Sequence, residues 1–312
     1  MTGRPLRVFV VVANWNGGEE NLECLASLRA QGLPEERIVF VDNGSVDGSR
    51  ELVRARHPRL VLLENRTNLG FGEAANQGAR EALARGADAL FFVNNDVVLP
   101  EGTLAKLLVA LEAHPERGIV GPRVLYRDRP DLVWCAGGML TWRQNLSTLL
   151  GHKKDDGERW RAVRRVDYVA GCALLVRREV LDKVGLFDAS YFAYMEDVDF
   201  CLRAKDAGFE VFLAGDAAAH HASSSATGGG YNPRRKYMMG VNSIWFLKHH
   251  AGATEWARFV VFDVSTLPVL WFLGLFQGTS NAVLAKALGI FDGLRGKRVT
   301  GASIQEGSGL LW

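Results

Sequence analysis

The feature that most constrains this chain is an alternation. From residue 6 to 115, short runs rich in β-branched and aromatic residues trade places with longer stretches of helical spacing. "LRVFVVVA" (6–13), "RIVFVD" (37–42), "RLVLLEN" (59–65) and "ADALFFVN" (87–94) are apolar almost throughout. A strand with one wet face would alternate apolar and polar. These do not, so each is predicted to be covered on both faces. Between them lies "EENLECLASLRAQG" (19–32), with Leu22, Leu25 and Leu28 at helical spacing and Gly32 as a stop. "SVDGSRELVRARH" (45–57), "FGEAANQGAREALARG" (71–86) and "PEGTLAKLLVALEAHP" (100–115) are helical in the same way. Such alternation predicts a parallel sheet with helices on its faces.

In sheets of this kind ligands bind beyond the carboxyl ends of the strands. Four successive ends carry amides and carboxylates: Asn14-Trp15-Asn16, Asp42-Asn43-Gly44-Ser45, Asn65 to Asn68, and Asn94-Asn95-Asp96. One such end is a turn signal. Four on one edge predict a polar crevice.

After Ile119 the runs shorten and glycines break them, as in "IVGPRVLY", "LVWCAGGML" and "VDYVAGCALLVRR", which predicts a mixed region. Helices are expected at 178–185 and 195–208, a strand at 209–214, and a flexible Ser/Gly loop over 216–230 that is a candidate lid. The last quarter is apolar and basic. The stretch 256–276 contains Asp263 and Pro268. These argue against a spanning helix, which needs ~20 mostly apolar residues. A helix at the membrane face fits better, anchored by Trp256, Trp271 and nearby basic residues. Packing on the catalytic domain or on a second subunit is the other reading.

Bulk properties exclude several classes. A net charge of +2 gives no case for nucleic-acid binding. Cys24, Cys135, Cys172 and Cys201 form no C-x-x-C pair, so reduced, buried thiols are expected. The apolar run near the N-terminus is too short for a signal peptide, and Asn14 to Gly18 follow where a cleavage site would stand.

Singly, the candidate residues are ambiguous. Asp42 is a turn residue or an acceptor for the N3–H of a pyrimidine base. Gly70-Phe71-Gly72 opens a helix, where free N–H groups favour anions. Ala75 breaks the dinucleotide fingerprint there. Asn76 and Gly78 lower helix propensity, which hints at a close contact on their face. Asp96 is a turn cap or a hard ligand for Mg²⁺ or Mn²⁺, with Asn94 free to bond a ribose hydroxyl. Glu196, Asp197 and Asp199 crowd a helix start behind Tyr191, Phe192 and Tyr194. These aromatics would wall a pocket and raise a carboxylate's pKa, as suits a general base. Asp199 and Arg203 form an i,i+4 pair, read as structural. His220 and His221 end a strand on opposite faces. One suits a metal, the other packing.

Together these residues resemble family 2 inverting glycosyltransferases of the GT-A fold, nearest the rhamnosyltransferase-like branch that builds cell-envelope polysaccharides. The carrying stretches are "VVVANWNGGEENLECLASL", "VDNGSVDGS", "NLGFGEAANQG", "FFVNNDVVL", "VAGCALLVRREVLDKVGLFDASYFAYMEDVDFCLRAKDAGFEV" and "AAAHHASSS". The resemblance implies an α/β fold, a Rossmann-like α/β/α sandwich with a mostly parallel central sheet, plus C-terminal amphipathic helices. It implies a transferase domain over 1–230, split into a nucleotide-binding half (1–118) and an acceptor half (119–230). A helical, membrane-associating region (231–312) would follow.

Carried over by position, Asp42 reads the donor base. Asn14, Asn16, Asn43, Asn68, Gly70, Asn76, Asn94 and Asn95 hold the nucleotide. Asp96 binds the metal with His220, His221 being the fallback. Glu196 and Asp197 form the acidic pair, with Asp197 the general base. Gly137, Gly138, Gly171 and Tyr194 line the acceptor channel. Asn94 stands where the family often has Asp, so part of the metal site is expected to assemble with the donor.

The implied reaction is a single displacement from a dTDP- or UDP-sugar, L-rhamnose being one candidate, onto a saccharide or lipid-linked saccharide. The implied cofactor is a divalent metal. The implied location is cytoplasmic, at the inner face of the plasma membrane, and a homodimer is left open. The rivals are a nucleotidyltransferase, disfavoured by the acids in "NWNGGEE", and a non-catalytic envelope-assembly subunit, disfavoured by the presence of Asp96 and Asp197.

Overall fold

A computed structural model of the chain describes residues 4–222, 231–305, 307–309 and 311. The alternation holds. Strands β1 (Val8–Asn14), β2 (Ile38–Asp42), β3 (Val61–Glu64) and β4 (Ala89–Asn94) are separated by helices α1 (Glu20–Arg29), α2 (Ser49–Arg56) and α3 (Phe71–Ala84). They pair in parallel in the order β3-β2-β1-β4. Side chains of β1 part to the two faces with period two. Phe9 and Val11 join one apolar cluster, and Val8, Val10 and Val12 the other. Both faces are therefore dry, as the unbroken apolar run requires. Only β3, at the sheet edge, is half-exposed.

Register puts the polar ends in line. Asn14 pairs with Asp42, Ala13 with Asn94, and Asp42 with Glu64. Gly78 of α3 lies against β1, where an added Cβ would come 2.4 Å from Val11 Cγ1. The close contact expected on that helix face is this packing.

The chain then builds a mixed half. It runs through β5 (Val97–Val98), α4 (Thr103–Glu112), β6 (Arg117–Tyr126), β7 (Leu132–Cys135), β8 (Gly138–Leu140), β9 (Ser147–Leu149), β10 (Lys154–Asp155), β11 (Val163–Arg165) and β12 (Ala173–Arg177). Helices α5 (Arg178–Val184) and α6 (Glu196–Asp206) precede β13 (Glu210–His221). β12 enters antiparallel between β4 and β6, and β13 runs parallel to β6. The strand read over 209–214 runs on, through a register shift between Ala214 and Ala218, to His221, so that His220 and His221 end it as expected. Residues 223–230 of the candidate lid lie outside the described residues.

The C-terminal helices are α7 (Pro233–His250), α8 (Ala253–Phe262), α9 (Leu267–Gln277) and α10 (Ser280–Leu294). Ile244, Phe246 and Leu247 of α7, Phe259 of α8 and Ile290 of α10 belong to the same apolar cluster as Phe92 and Phe187. Helix α10 lies close on α7, since Gly289 leaves no room for a Cβ, which would stand 2.2 Å from the Tyr237 carbonyl. Asp263, read as an argument against a spanning helix, faces inward. It is fully buried, pairs with Lys286 and accepts from the Asn145 amide at 2.8 Å. The helical stretch Ala253–Gln277 is long and apolar enough to cross a membrane by length and composition, with a mean hydropathy of 2.0 over an 18-residue window within it.

All four cysteines are buried and unpaired, and burial pushes their thiols upward, so none is poised as a nucleophile.

Candidate active site

The strand ends open into a cleft of about 530 Å³. It is lined by Asn14, Asn43, Asn68, Asn94, Asn95 and Asp96 from the parallel half, and by Gly171, Tyr194, Glu196, Asp197 and Arg235 from the later part of the chain.

Asparagines scaffold the lining from the parallel half. Asn14 is buried at the end of β1, and its Nδ2 donates toward Asp42 (2.9 Å), Ser45 Oγ and Ser49 Oγ (both 3.1 Å). Its Oδ1 accepts from Asn95 Nδ2 at 3.0 Å and from the Gly17 amide at 3.1 Å. Asn43 donates to Asn68 Oδ1 (3.0 Å) and the Gly70 carbonyl (3.1 Å), and accepts from Asn65 Nδ2 and the Leu69 amide. A carboxamide both donates and accepts, so one residue type can cross-link three loops without burying charge.

Several expected contacts are not at the cleft. Asp42 is fully buried, its oxygens taken by Asn14 Nδ2 and the Ser45 amide, so it lies one layer behind the lining residues. Asn16 is exposed and accepts from the Val46 amide at 2.9 Å. Asn76 is spent on the Phe187 backbone, donating at 2.9 Å and accepting at 3.0 Å. Gly70 serves a close approach, since an added Cβ would come 2.6 Å from the Phe192 carbonyl oxygen. Gly137 and Gly138 pack on Val166 and Tyr168 rather than line the cleft.

The metal expectation divides between the histidines. β13 ends by pairing with β5, the segment directly after Asp96, His221 lying opposite Val97. His221 Nε2 stands 3.2 Å from Asp96 Oδ1, and both side chains are buried. His220 points to the other face, where burial and the charges of Arg123 and Arg127 hold its imidazole below the usual value. The fallback, His221, is thus the residue beside Asp96, and His220 is not. An indole edge from Trp134 meets the His221 ring at 4.8 Å. Asn94 Oδ1, facing the same cleft, is buried with no hydrogen-bond partner among the described residues. No group of three or more His, Cys, Asp or Glu residues suited to a metal exists among the described residues. The donor set is one carboxylate, one imidazole and one amide oxygen. It fits a cation that takes its remaining ligands from phosphate oxygens and water.

In the same cleft, α6 starts with the acidic pair. Asp197 Oδ2 accepts from the Gly171 amide at 2.8 Å, and its Oδ1 from the Val198 amide at 2.8 Å. A Cβ on Gly171 would stand 3.1 Å from Asp197 Cβ, so glycine there allows the approach. Burial pushes the Asp197 carboxyl above the usual range, and the two amides pull it back. Burial, reinforced by the charge of Asp197, pushes Glu196 upward, and its Oε2 has no partner among the described residues. Asp199 faces away, bonded to Arg203 Nε (2.8 Å) and His250 Nε2 (2.7 Å), and is structural as expected. Phe192 and Tyr194 line the cleft, while Tyr191 is fully buried in the core.

Sequence reasoning missed Trp15, Trp134, Asn145, His152, Tyr168, Arg235 and Met238, which also line the cleft. Most come from short strands and loops of the mixed half. Only the aromatics in "LVWC" and "VDYVAG" offered a signal.

The fold is the GT-A α/β type. The mannosyltransferase PcManGT of Pyrobaculum calidifontis, solved with GDP-Man and Mn²⁺, superposes with a TM-score of 0.58 at 18% identity, covering 95% of this chain and 89% of that one. The chain belongs to glycosyl transferase family 2, whose profile matches residues 9–185. It is 31% identical over 239 residues to the N-acetylglucosaminyl-diphospho-decaprenol L-rhamnosyltransferase of Mycobacterium tuberculosis, covering 69% of this chain and 76% of that protein. It is 26% identical over 226 residues to the galactofuranosyltransferase GlfT1 of the same organism, covering 70% and 71%. This protein is a glycosyltransferase.

Proposed function

We propose that the chain transfers a sugar, with inversion, from a pyrimidine nucleoside diphosphate to a hydroxyl of a lipid-linked saccharide. One observation carries the proposal: the amide-held carboxylate of Asp197 shares a cleft with the Asp96–His221 pair. Asp197 is the general base. A carboxylate has about four lone-pair sites, so two amide bonds leave capacity for a proton. Its ionised form is the one the Gly171 and Val198 amides favour. Burial and the neighbouring charge of Asp197 push Glu196 upward, so it holds its proton more tightly and serves as a neutral neighbour. Asp197 takes the acceptor's proton as the oxygen attacks the anomeric carbon. The diphosphate departs on the opposite side.

Asp96 and His221, with Asn94, would hold the divalent metal. Bound there, Mg²⁺ or Mn²⁺ would offset the charge of the departing diphosphate. Asn68 through its Nδ2 and Asn95 through its Oδ1 offer carboxamide groups to the nucleotide, while Asn43 and Asp42 hold the wall behind them. The likeness to the mycobacterial rhamnosyltransferase favours L-rhamnose as the donor sugar.

A membrane surface is the proposed partner of the C-terminal helices. Val269, Trp271, Phe272, Leu273, Leu275 and Phe276 of α9 are all exposed. At ~100° per residue they point to several sides of the helix. A protein partner covers one side, whereas hydrocarbon surrounds. Leu284, Leu288, Phe291 and Leu294 extend the apolar surface along α10. This suits a peripheral enzyme at the cytoplasmic face acting on a lipid-linked acceptor.

The test is a screen of nucleotide sugars with Mg²⁺, Mn²⁺ or EDTA, read by thermal shift and donor hydrolysis. A ligand that binds only the folded state raises its stability. A metal-dependent shift with a dTDP- or UDP-sugar is expected. No shift with any pyrimidine nucleotide would sink the reading.

A further inference from the structure

The turn before the acidic pair is held in an unfavourable shape. Phe192 (φ 63°), Tyr194 (φ 69°) and Met195 (φ 76°) all have positive φ, and none is glycine. Non-glycine residues avoid that region, and a run of them persists only where surroundings enforce it. The enforcing group comes from α7, beyond the residues matched to the family. Asn242, almost fully buried, aims its Nδ2 at the carbonyls of Tyr191 (2.9 Å), Ala193 (2.8 Å) and Tyr194 (2.9 Å). Two N–H groups serve three acceptors, so one bond is shared. The remaining carbonyl within the turn, that of Phe192, accepts from the Phe71 amide at 2.6 Å. Helix α6, with Glu196 and Asp197, begins directly after this turn.

We propose that Asn242 is a positioning residue for the transfer reaction. Its carboxamide gathers three carbonyls and holds the turn that sets Asp197 against Gly171. Without those donors all three carbonyls lose the bond from α7, and that of Tyr191 keeps only the Ala193 amide at 2.7 Å. The turn then relaxes toward negative φ, and the start of α6 moves with it. The residue touches neither donor nor metal. Its effect belongs on the chemical step rather than on nucleotide binding. The inference rests on Asp197 as the general base.

The test is a double-mutant cycle on the full chain: wild type, Asn242→Ala, Asp197→Asn and the double variant. Each is assayed for turnover of the nucleotide sugar that gives the largest thermal shift. Nucleotide affinity is measured in parallel with UDP and dTDP. A displacement of about 1 Å in a catalytic group costs on the order of 100-fold. Asn242→Ala is therefore expected to lose about 100-fold in kcat with nucleotide affinity within about twofold. In the Asp197→Asn background the same change should cost almost nothing, because the group it positions is already gone. Asn242→Leu, which fills the space but donates nothing, should repeat the result. Equal losses in both backgrounds would overturn the proposal. So would wild-type kcat in Asn242→Ala, or failure of both Asn242 variants to fold, which would assign the residue to stability alone. Full activity in Asp197→Asn would instead overturn the assignment of Asp197 as the general base, and this inference with it.

Discussion

At the scale of residues, the acidic pair shows how neighbours divide two carboxylates. Asp197 accepts from the Gly171 and Val198 amides, whereas Glu196 Oε2 has no partner among the described residues, so the pair is asymmetric before any substrate arrives. The folded state raises the Glu196 pKa above its unfolded value. Its contribution to stability is thus full below about pH 4.3 and is lost as pH rises through the raised folded value. Glutamine stays neutral throughout. Glu196→Gln should therefore gain on wild type as pH rises, on the order of 2 kcal/mol at alkaline pH. Melting curves from pH 5 to 9 will check this, and a constant difference across the range would contradict it. The histidines offer a second test. His221→Ala should abolish the metal-dependent part of the nucleotide thermal shift, while His220→Ala should leave it within about a degree. That Asp96 and Asp197 line the cleft was legible in the sequence, because a carboxylate at a strand end or helix start falls at the ligand-facing edge of such a sheet. The choice between His220 and His221 was not. Alternation says that they face opposite ways, but only the pairing of β13 with β5 says which way. That Asp42 and Asn76 are bonded to neighbouring protein groups was hidden for a related reason. A polar residue at a strand end or within a helix looks the same whether it meets a ligand or a neighbouring backbone.

At the scale of elements, the parallel half was legible nearly to the residue, since four dry strands leave few arrangements. The mixed half was not. Its strands are two to five residues long apart from β6 and β13, too short for period to show. Glycines that looked like channel lining proved to be packing points. Gly78→Ala offers a test of that role. The helix would gain up to about 1 kcal/mol in propensity. Yet the added carbon would stand 2.4 Å from Val11 Cγ1 in a close-packed layer, so a net loss of about 1–3 kcal/mol in denaturant unfolding is expected. Equal or greater stability would show that β1 and α3 separate easily. Where α8 gives way to α9, Asp263 and Lys286 form a buried pair. Asp263→Ala would strand the Lys286 charge and should cost about 3–5 kcal/mol.

At the scale of the whole molecule, the protein has a polar cleft at the strand ends and an apolar surface on α8, α9 and α10. Asp263 could be read as an argument against a spanning helix only while its direction was unknown. Turned inward, it leaves the outer surface apolar. The full chain should co-sediment with anionic vesicles, and Phe272→Glu with Phe276→Glu should release it without lowering its melting temperature. A chain that ignores vesicles and forms a stable dimer through those phenylalanines would contradict the membrane reading. The central claim, that Asp197 draws the proton from the acceptor, has a more direct test. Turnover and donor-nucleotide affinity should be measured side by side in wild type and Asp197→Asn. Removing a general base costs about 100- to 10,000-fold. The prediction is a loss of that size in kcat with nucleotide affinity preserved, and wild-type turnover in Asp197→Asn would contradict it.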